Sequence, residues 1–545
     1  MTDGLPPIDV WRWALAVLPI AVLVALVVKS RLPTSTNALI TVAIAIVIGA
    51  AAFGAGPRVV GVGVAKGIWT GIWILYVIWP ALLLYHLAAR AGLSRMGGVF
   101  SSILPRRVEN ILIVAWIFPS FVQGVAGFGT PIAVAAPLLA SMGVPAAMAV
   151  ALPLIGYHWA VTFGSMGSSF YMGALTARLG GGEVEHYAND AAFFLGVNLI
   201  VSGVLVCLMF GGVRALRQGA RMVVCVGALM AIAMFLAVQV EPAIGALAAG
   251  AAGFIGVGVL KLVTRREAVP VPVPEERALV TVGGADGGPI TDDALEPVEP
   301  RRPFVVLLPY LYLLVMVLIV FVPAGSRAFA KGRFLIGPSF GETETTYGLV
   351  NRAVDHYTPI AAFGHPGSYI LLASLLGFLT YRATRLWPRG ELGDTVRAWL
   401  RQAWRSSLSV IALASVATVM VDTGMVRTIA VGAANVAGDG FPLVAPIIGL
   451  LGSFTTGSTT SSNALFSALQ RDVAVLIGVR PSELLAAQTS GGNIGNSLAP
   501  VVILIGAAAV GHREKVSEIF RMVVPPAAAL SGVLMALTML LVALE

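Results

Sequence analysis

Residues 110–177 read NILIVAWIFPSFVQGVAGFGTPIAVAAPLLASMGVPAAMAVALPLIGYHWAVTFGSMGSSFYMGALTA, with no Asp, Glu, Lys or Arg between Glu109 and Arg178. A bilayer crossing needs ~20 apolar residues, so this run is long enough to cross more than once. Yet it is interrupted by Gly124, Gly127, Gly129 and Pro131, and it carries Gln123, Thr130, Tyr157, His158 and Ser165. Glycine and polar groups at bilayer depth are tolerated where unwound backbone lines a cavity inside the protein. A span that serves only as an anchor has no use for them.

Working outward, the whole chain has this character. It holds 545 residues, 57% hydrophobic and only 11% charged, against about 25% charged in soluble domains. Apolar segments recur to the C-terminus. The expected fold is an all-α polytopic membrane protein with roughly 12–14 transmembrane helices. The apolar runs are continuous rather than alternating, which excludes a β-barrel. The net charge of +8 does not indicate nucleic acid, because the basic residues sit in short clusters between apolar runs, where they set orientation in the membrane. Cys207 and Cys225 lie in apolar surroundings and read as helix packing. Asp3 and Asp9 precede the first apolar run and Lys29 and Arg31 follow it; a cleaved signal would carry the opposite pattern, so 14–28 reads as a retained span.

Four basic clusters set the orientation: Arg90, Arg95, Arg106 and Arg107; Arg214, Arg217 and Arg221; Arg382, Arg385, Arg389, Arg397, Arg401 and Arg405; and Arg513, Lys515 and Arg521. With all four in the cytoplasm both termini fall outside, as do Lys331 and Arg333 against the trend. Residues 264–302, with Val-Pro-Val-Pro-Val-Pro at 269–274 and then Gly, Asp and Glu, cannot bury a core and read as a disordered cytoplasmic linker. It divides the chain into membrane halves 1–263 and 303–545.

The halves echo each other. Ser141-Met-Gly-Val-Pro145 follows the first broken stretch, and Ile477-Gly-Val-Arg-Pro481 follows a second one, Thr456-Gly-Ser-Thr-Thr460; each leads to a further Gly/Ser-rich break, Gly164–Ser169 and Ser490–Gly495. The first region starts directly after a cytoplasmic cluster. The second is separated from its cluster by an extra span, 406–422, so the two should enter the membrane from opposite sides. Paired broken or re-entrant segments in inverted-repeat halves point to a substrate site at the midplane.

His158, Thr162, Ser165 and Ser169 fall at i, i+4, i+7 and i+11, the spacing of one helical face. On a lipid-facing surface these groups are costly, so the face should point inward; close packing through small residues is the alternative. Thr456, Thr459, Asn463 and Gln470 repeat the pattern, with Ser467 beside them. Gly457 permits an unwound approach, and a half-helix starting near Ser458 aims free N–H groups and a positive dipole end inward. A helix resuming after Gly129-Thr130-Pro131 does the same. Two such ends converging would hold a small anion without a buried lysine. Histidine alone titrates near neutral pH, which makes His158 the candidate for proton coupling. No His/Cys/Asp/Glu cluster has metal spacing and no nucleotide loop is present, so no cofactor or metal is expected.

Three stretches resemble the hallmarks of the lactate permease family: Gly124-Val-Ala-Gly-Phe-Gly-Thr-Pro131, Thr456-Gly-Ser-Thr-Thr-Ser-Ser-Asn-Ala-Leu-Phe466 and Ser490-Gly-Gly-Asn-Ile-Gly495. Their order and spacing match over most of the chain. The resemblance implies a proton-coupled importer of L-lactate, D-lactate or glycolate in the bacterial inner membrane. The departures fall on charge. Gln123 stands where the family has an acid, Thr459 where it has Asp, and Asn496 where it has Lys; Gly156-Tyr157-His158 replaces an Asn-Thr-Ala stretch.

The sequence therefore implies a secondary active transporter, not an enzyme, importing a small monocarboxylate by proton or sodium symport. Gln123, Gly124, Gly127, Gly129, Thr130, Gly457, Ser458, Thr459 and Thr460 would hold the carboxylate, while Thr162, Asn463, Asn493 and Asn496 read a 2-hydroxyl. Ser165 lines the path and His158 couples the proton. The expected partners are a small organic anion, the coupling ion and lipid, with no nucleic acid. A carrier for another organic anion, and a passive anion channel, are the rival readings. A membrane-embedded enzyme lacks a nucleophile–base set.

Overall fold

In the computed structural model, residues 4–29, 32–93, 103–127, 129–264, 303–321, 334–388 and 390–544 are described. The expected linker (apart from Thr264), Lys331 and Arg333 lie outside them. Helices dominate, as the apolar runs require. Three open the chain: α1 (Val10–Lys29), α2 (Thr34–Ala52) and α3 (Pro57–Arg90). The first broken region follows. α4 (Arg107–Val125) contains a π-helical stretch at Ile113–Ile117 and stops at Ala126; α5 (Thr130–Ser141) resumes after Gly129. Then come α6 (Ala146–Ala160), α7 (Gly164–Thr176), α8 (Gly181–Val240, broken at Gly211–Gly212) and α9 (Gly245–Thr264). α10 (Pro303–Phe321) precedes a small layer in which β1 (Leu335–Ile336) pairs with β4 (Ile360–Ala361), and β2 (Thr343–Glu344) with β3 (Val350–Asn351), both antiparallel.

The rest is helical: α11 (Pro366–Ala383), α12 (Leu392–Asp422), α13 (Met425–Ala437), α14 (Phe441–Thr456), α15 (Thr459–Ile477), α16 (Pro481–Leu498), α17 (Pro500–Ala509) and α18 (Val516–Ala543). Proline stands in the first turn of α5, α11, α16 and α17, where its missing N–H costs nothing and its fixed φ suits the helix. Eight helices among the described residues are long and apolar enough to cross a bilayer, or up to ten when the bent pairs α6/α7 (54°) and α16/α17 (45°) count as single spans. Further apolar helices, α5 among them, are too short to cross alone. The chain is a multi-pass membrane protein.

Contacts fix the direction of each leg. At one face the Arg107 guanidinium donates to the carbonyls of Met142 (3.2 Å) and Gly143 (3.3 Å), so α5 returns to the face where α4 began. Arg106 donates to the Gln218 carbonyl there (2.9 Å). α6 and α7 then cross to the opposite face, where Arg178 meets Asp422 at the end of α12. Because α3 runs from Lys66, which also meets Asp422, to Arg90, which pairs with Glu391 (3.1 Å), Arg90 and the start of α12, with Arg397 and Arg401, share the Arg107 face. This is the basic face. The strand layer caps the other one: Asn351 donates to the Asp422 carbonyl (2.9 Å), and the N-terminal Gly4 abuts Gly348.

α14, α15 and α16 repeat this path from the strand face. α15 runs alongside α7, with Thr460 beside Ser169 and Asn463 beside Thr176. Both helices therefore end at the strand face, while α17 runs alongside α5 toward the basic face. The turns at the returning ends match too: Val144 N–H bonds Leu139 O across Gly143 (φ 76°), and Val479 N–H bonds Ala474 O across Gly478 (φ 77°). These are the same six-residue helix closure. The two hairpins thus enter from opposite faces, as the position of the extra span 406–422 implies.

Candidate functional site

The two breaks are built alike. Gly129 (φ 81°) and Gly457 (φ 70°) both occupy the left-handed region, open to glycine at no steric cost. Ser458 caps α15, its hydroxyl accepting from Ser461 N–H (3.3 Å), so the Thr459 and Thr460 N–H groups precede the first intrahelical bond. Both glycines also rest on α17. A Cβ on Gly129 would stand 2.6 Å from Ile505 Cδ1, and one on Gly457 would stand 2.4 Å from Val501 Cγ1. Val501 and Ile505 are one helical turn apart, on one face. The two interrupted hairpins therefore converge on a single short helix.

Beside that helix lies a buried polar network in which nearly every donor has one direction. Gln488 Nε2 donates to Asn463 Oδ1 (3.1 Å), and Asn463 Nδ2 donates to Thr489 Oγ1 (2.8 Å) and to Ser169 O (2.7 Å). Thr162 spends its one hydrogen on Asn493 Oδ1 (3.0 Å), so in its 3.0 Å contact with Thr489 it accepts and the Thr489 hydroxyl donates. Asn493 Nδ2 ends the chain on Trp159 O (3.2 Å). Ser169 and Thr460 share a further bond of 2.8 Å. The network stitches α6 and α7 of one broken region to α15 and α16 of the other, without a formal charge.

Of the candidates read from the sequence, Thr162, Thr460, Asn463 and Asn493 meet in this network. Gln123, Gly127 and Ser165 form a neighbouring group, with Gly164 pressed against Gln123. Gly457, Thr459 and Asn496 form a third: Asn496 Nδ2 donates to Gly457 O (2.9 Å) and Ser453 stands 3.5 Å from Thr459. Gly124 faces Leu247 on α9 instead. Thr130, at the start of α5, is buried. His158 is buried; its Nδ1 donates to Ile155 O (2.8 Å), and Nε2 has no partner among the described residues.

The expected single face of His158, Thr162, Ser165 and Ser169 does not exist. His158–Ala160 is a 3-10 turn, and Ser165 (φ 47°), Met166 (φ 54°) and Gly167 (φ 72°) are left-handed. Helical spacing fails because the backbone turns over at the Gly164–Gly167 pair, leaving strain of about 1–3 kcal/mol at each non-glycine residue. Likewise Thr456 belongs to the end of α14, across the break from Thr459, Asn463 and Gln470 on α15.

Several groups escaped the sequence reading. Gln488 and Thr489 complete the network. Trp159 Nε1 and Ser490 Oγ, both fully buried, are donors with no partner among the described residues. Glu241, buried ahead of α9, accepts from the Tyr171 hydroxyl and from Ala243 N–H (3.3 Å). Asp422 receives both Lys66 Nζ (2.8 Å) and Arg178. Lys66 and Asp422 carried a signal, since each is an isolated charge within or ending an apolar run.

The family described as L-lactate permease matches residues 13–544. The chain belongs to the L-lactate permease family. Among its relatives, the L-lactate permease of Escherichia coli (strain K12) is 28% identical over 537 residues, covering 95% of this chain and 94% of that one. The glycolate permease GlcA of the same organism is 26% identical over 494 residues, covering 88% and 86%. The permease fold also resembles that of the Neisseria gonorrhoeae antimetabolite efflux pump MtrF, with a TM-score of 0.51 at 16% identity over 95% of this chain and 97% of that one. At that identity the likeness speaks of fold alone.

Proposed function

We propose that this permease is a secondary active transporter that imports a small 2-hydroxymonocarboxylate, lactate first and glycolate second, in symport with a cation, the proton first, across the bacterial inner membrane. The observation that carries this reading is the pair of glycine-broken hairpins that enter from opposite faces and rest together on α17. The names of the L-lactate and glycolate permease relatives supply the substrate class. Basic residues favour the cytoplasmic side, so the basic face is inside and the strand face, with the termini, is outside.

The carboxylate is held by the Thr459 and Thr460 N–H groups at the start of α15 and by the free donors Trp159 Nε1 and Ser490 Oγ; at the start of α5 the Thr130 N–H is spent on Gly127 O (3.2 Å) and Pro131 has none. Thr162, Asn463 and Asn493 turn part of their network toward the 2-hydroxyl, and Asn496 holds the second break in shape. His158 takes the proton on Nε2, because Nδ1 is committed to Ile155 O. A proton there and a carboxylate nearby cancel, so each favours binding of the other in a pocket with no fixed charge. Rocking of one bundle against the other gives alternating access.

Uptake of labelled L-lactate into proteoliposomes under imposed pH or sodium gradients tests the reading, with glycolate and other organic anions as competitors. Gradient-driven accumulation and counterflow are expected; flux without counterflow marks a channel. His158→Gln and His158→Ala should flatten the dependence of uptake on pH, and wild-type pH profiles in both exclude His158 as the coupling group.

A further inference from the structure

Arg178 closes α7 at the strand face, where one carboxylate serves two cations. Lys66 and Asp422 have side chains only 4% and 0% exposed, whereas that of Arg178 is 36% exposed. The asymmetry matters. If Arg178 leaves, Lys66 still neutralises Asp422 at 2.8 Å, so no charge is stranded in the protein interior. Arg178 is thus the movable member, and it carries the surplus positive charge at the accessible edge. Tyr357 from the strand layer and Asp472 from α15 also face its guanidinium, while Asp472 is shared with Arg471 and Arg427. Four cations and two carboxylates make this edge attractive to anions. Two residues earlier, the Thr176 hydroxyl, whose hydrogen lies on Met172 O (2.7 Å), stands 3.2 Å from Asn463 O, so the same helix reaches from this edge to the polar network.

We propose that Arg178 is a docking site for the carboxylate of the arriving substrate, which replaces Asp422 on the guanidinium. A guanidinium takes a carboxylate through two parallel hydrogen bonds, a geometry lysine cannot reproduce. Lys66 keeps Asp422 paired during the exchange, and the exchange releases α7 from α12. This assignment rests on the reading of the protein as a carrier of small carboxylates.

The test is proteoliposome uptake of L-lactate by the wild type, Arg178→Gln, Arg178→Lys and the double variant Lys66→Met/Asp422→Leu, each checked for monodisperse gel filtration. Arg178→Gln should raise KM at least about tenfold with the maximal rate within about threefold, since hydrogen bonds to charged groups are worth that much. Arg178→Lys should fall between. The double variant replaces a buried pair by apolar side chains, a change proteins tolerate, and removes the competitor for Arg178, so its KM should fall or hold. An unchanged KM in Arg178→Gln, or a KM raised in the double variant as far as in Arg178→Gln, overturns the docking role and leaves the carrier reading standing. If Arg178→Gln does not fold, Arg178→Lys and the double variant decide by the same criteria. A wild type that takes up neither lactate nor glycolate overturns both.

Discussion

Replacing Gly457 by alanine tests the shared seat on α17 quantitatively. Two costs add. Gly457 has φ 70°, and an L-residue held in left-handed backbone loses roughly 1–2 kcal/mol. Its new Cβ would stand 2.4 Å from Val501 Cγ1, more than 1 Å inside the ~3.5–4.0 Å optimum for carbon, and such overpacking costs about 1–3 kcal/mol. The sum is about 2–5 kcal/mol. Val501→Ala removes the clashing methyl, and because Val501 is 48% exposed its own cost should stay within about 1 kcal/mol. The double variant should therefore recover the clash but not the backbone strain, giving a coupling energy of about 1–3 kcal/mol. Unfolding in mixed micelles supplies the four stabilities, and proteoliposome uptake the matching rates. A Gly457→Ala cost under about 0.5 kcal/mol, or a coupling energy indistinguishable from zero, refutes the placement of this break against α17.

Gly129→Ala should behave in the same way with Ile505→Ala, since the Cβ would meet Ile505 Cδ1 at 2.6 Å; the same cycle of unfolding measurements checks it. Thr162→Val keeps volume but removes two hydrogen bonds, each worth ~0.6 kcal/mol on average in membrane bundles. Uptake should fall while Thr428→Val, whose hydroxyl bonds Gly424 O of its own turn and no other group among the described residues, retains it. Gly491→Val should abolish recovery of monodisperse protein from membranes, because its Cβ would lie 2.0 Å from the Pro446 carbonyl oxygen and no rotamer relieves a backbone contact.

How much was legible in the sequence follows from what kind of force placed each residue. The breaks at Gly129 and Gly457 were visible because left-handed backbone selects glycine, and proline marks the helix that resumes. Their entry from opposite faces followed from counting spans between charge clusters. Spacing alone misled for His158 to Ser169, because periodicity presumes an unbroken helix and the turnover at Ser165–Gly167 depends on what packs there, Gln123 on one side and Ala243 on the other. The Lys66–Asp422–Arg178 contact joins residues hundreds of positions apart. Each charge stood out locally, yet nothing in the chain's order paired them. The direction of the Gln488-to-Trp159 hydrogen-bond relay is a property of three-dimensional lone-pair accounting and has no trace in the sequence.

Val501 and Ile505 stand on one short helix, each against a break that belongs to a different hairpin. A displacement of this ten-residue helix reaches both breaks together. In the transport reading proposed above, that shared seat ties the two hairpins to one motion.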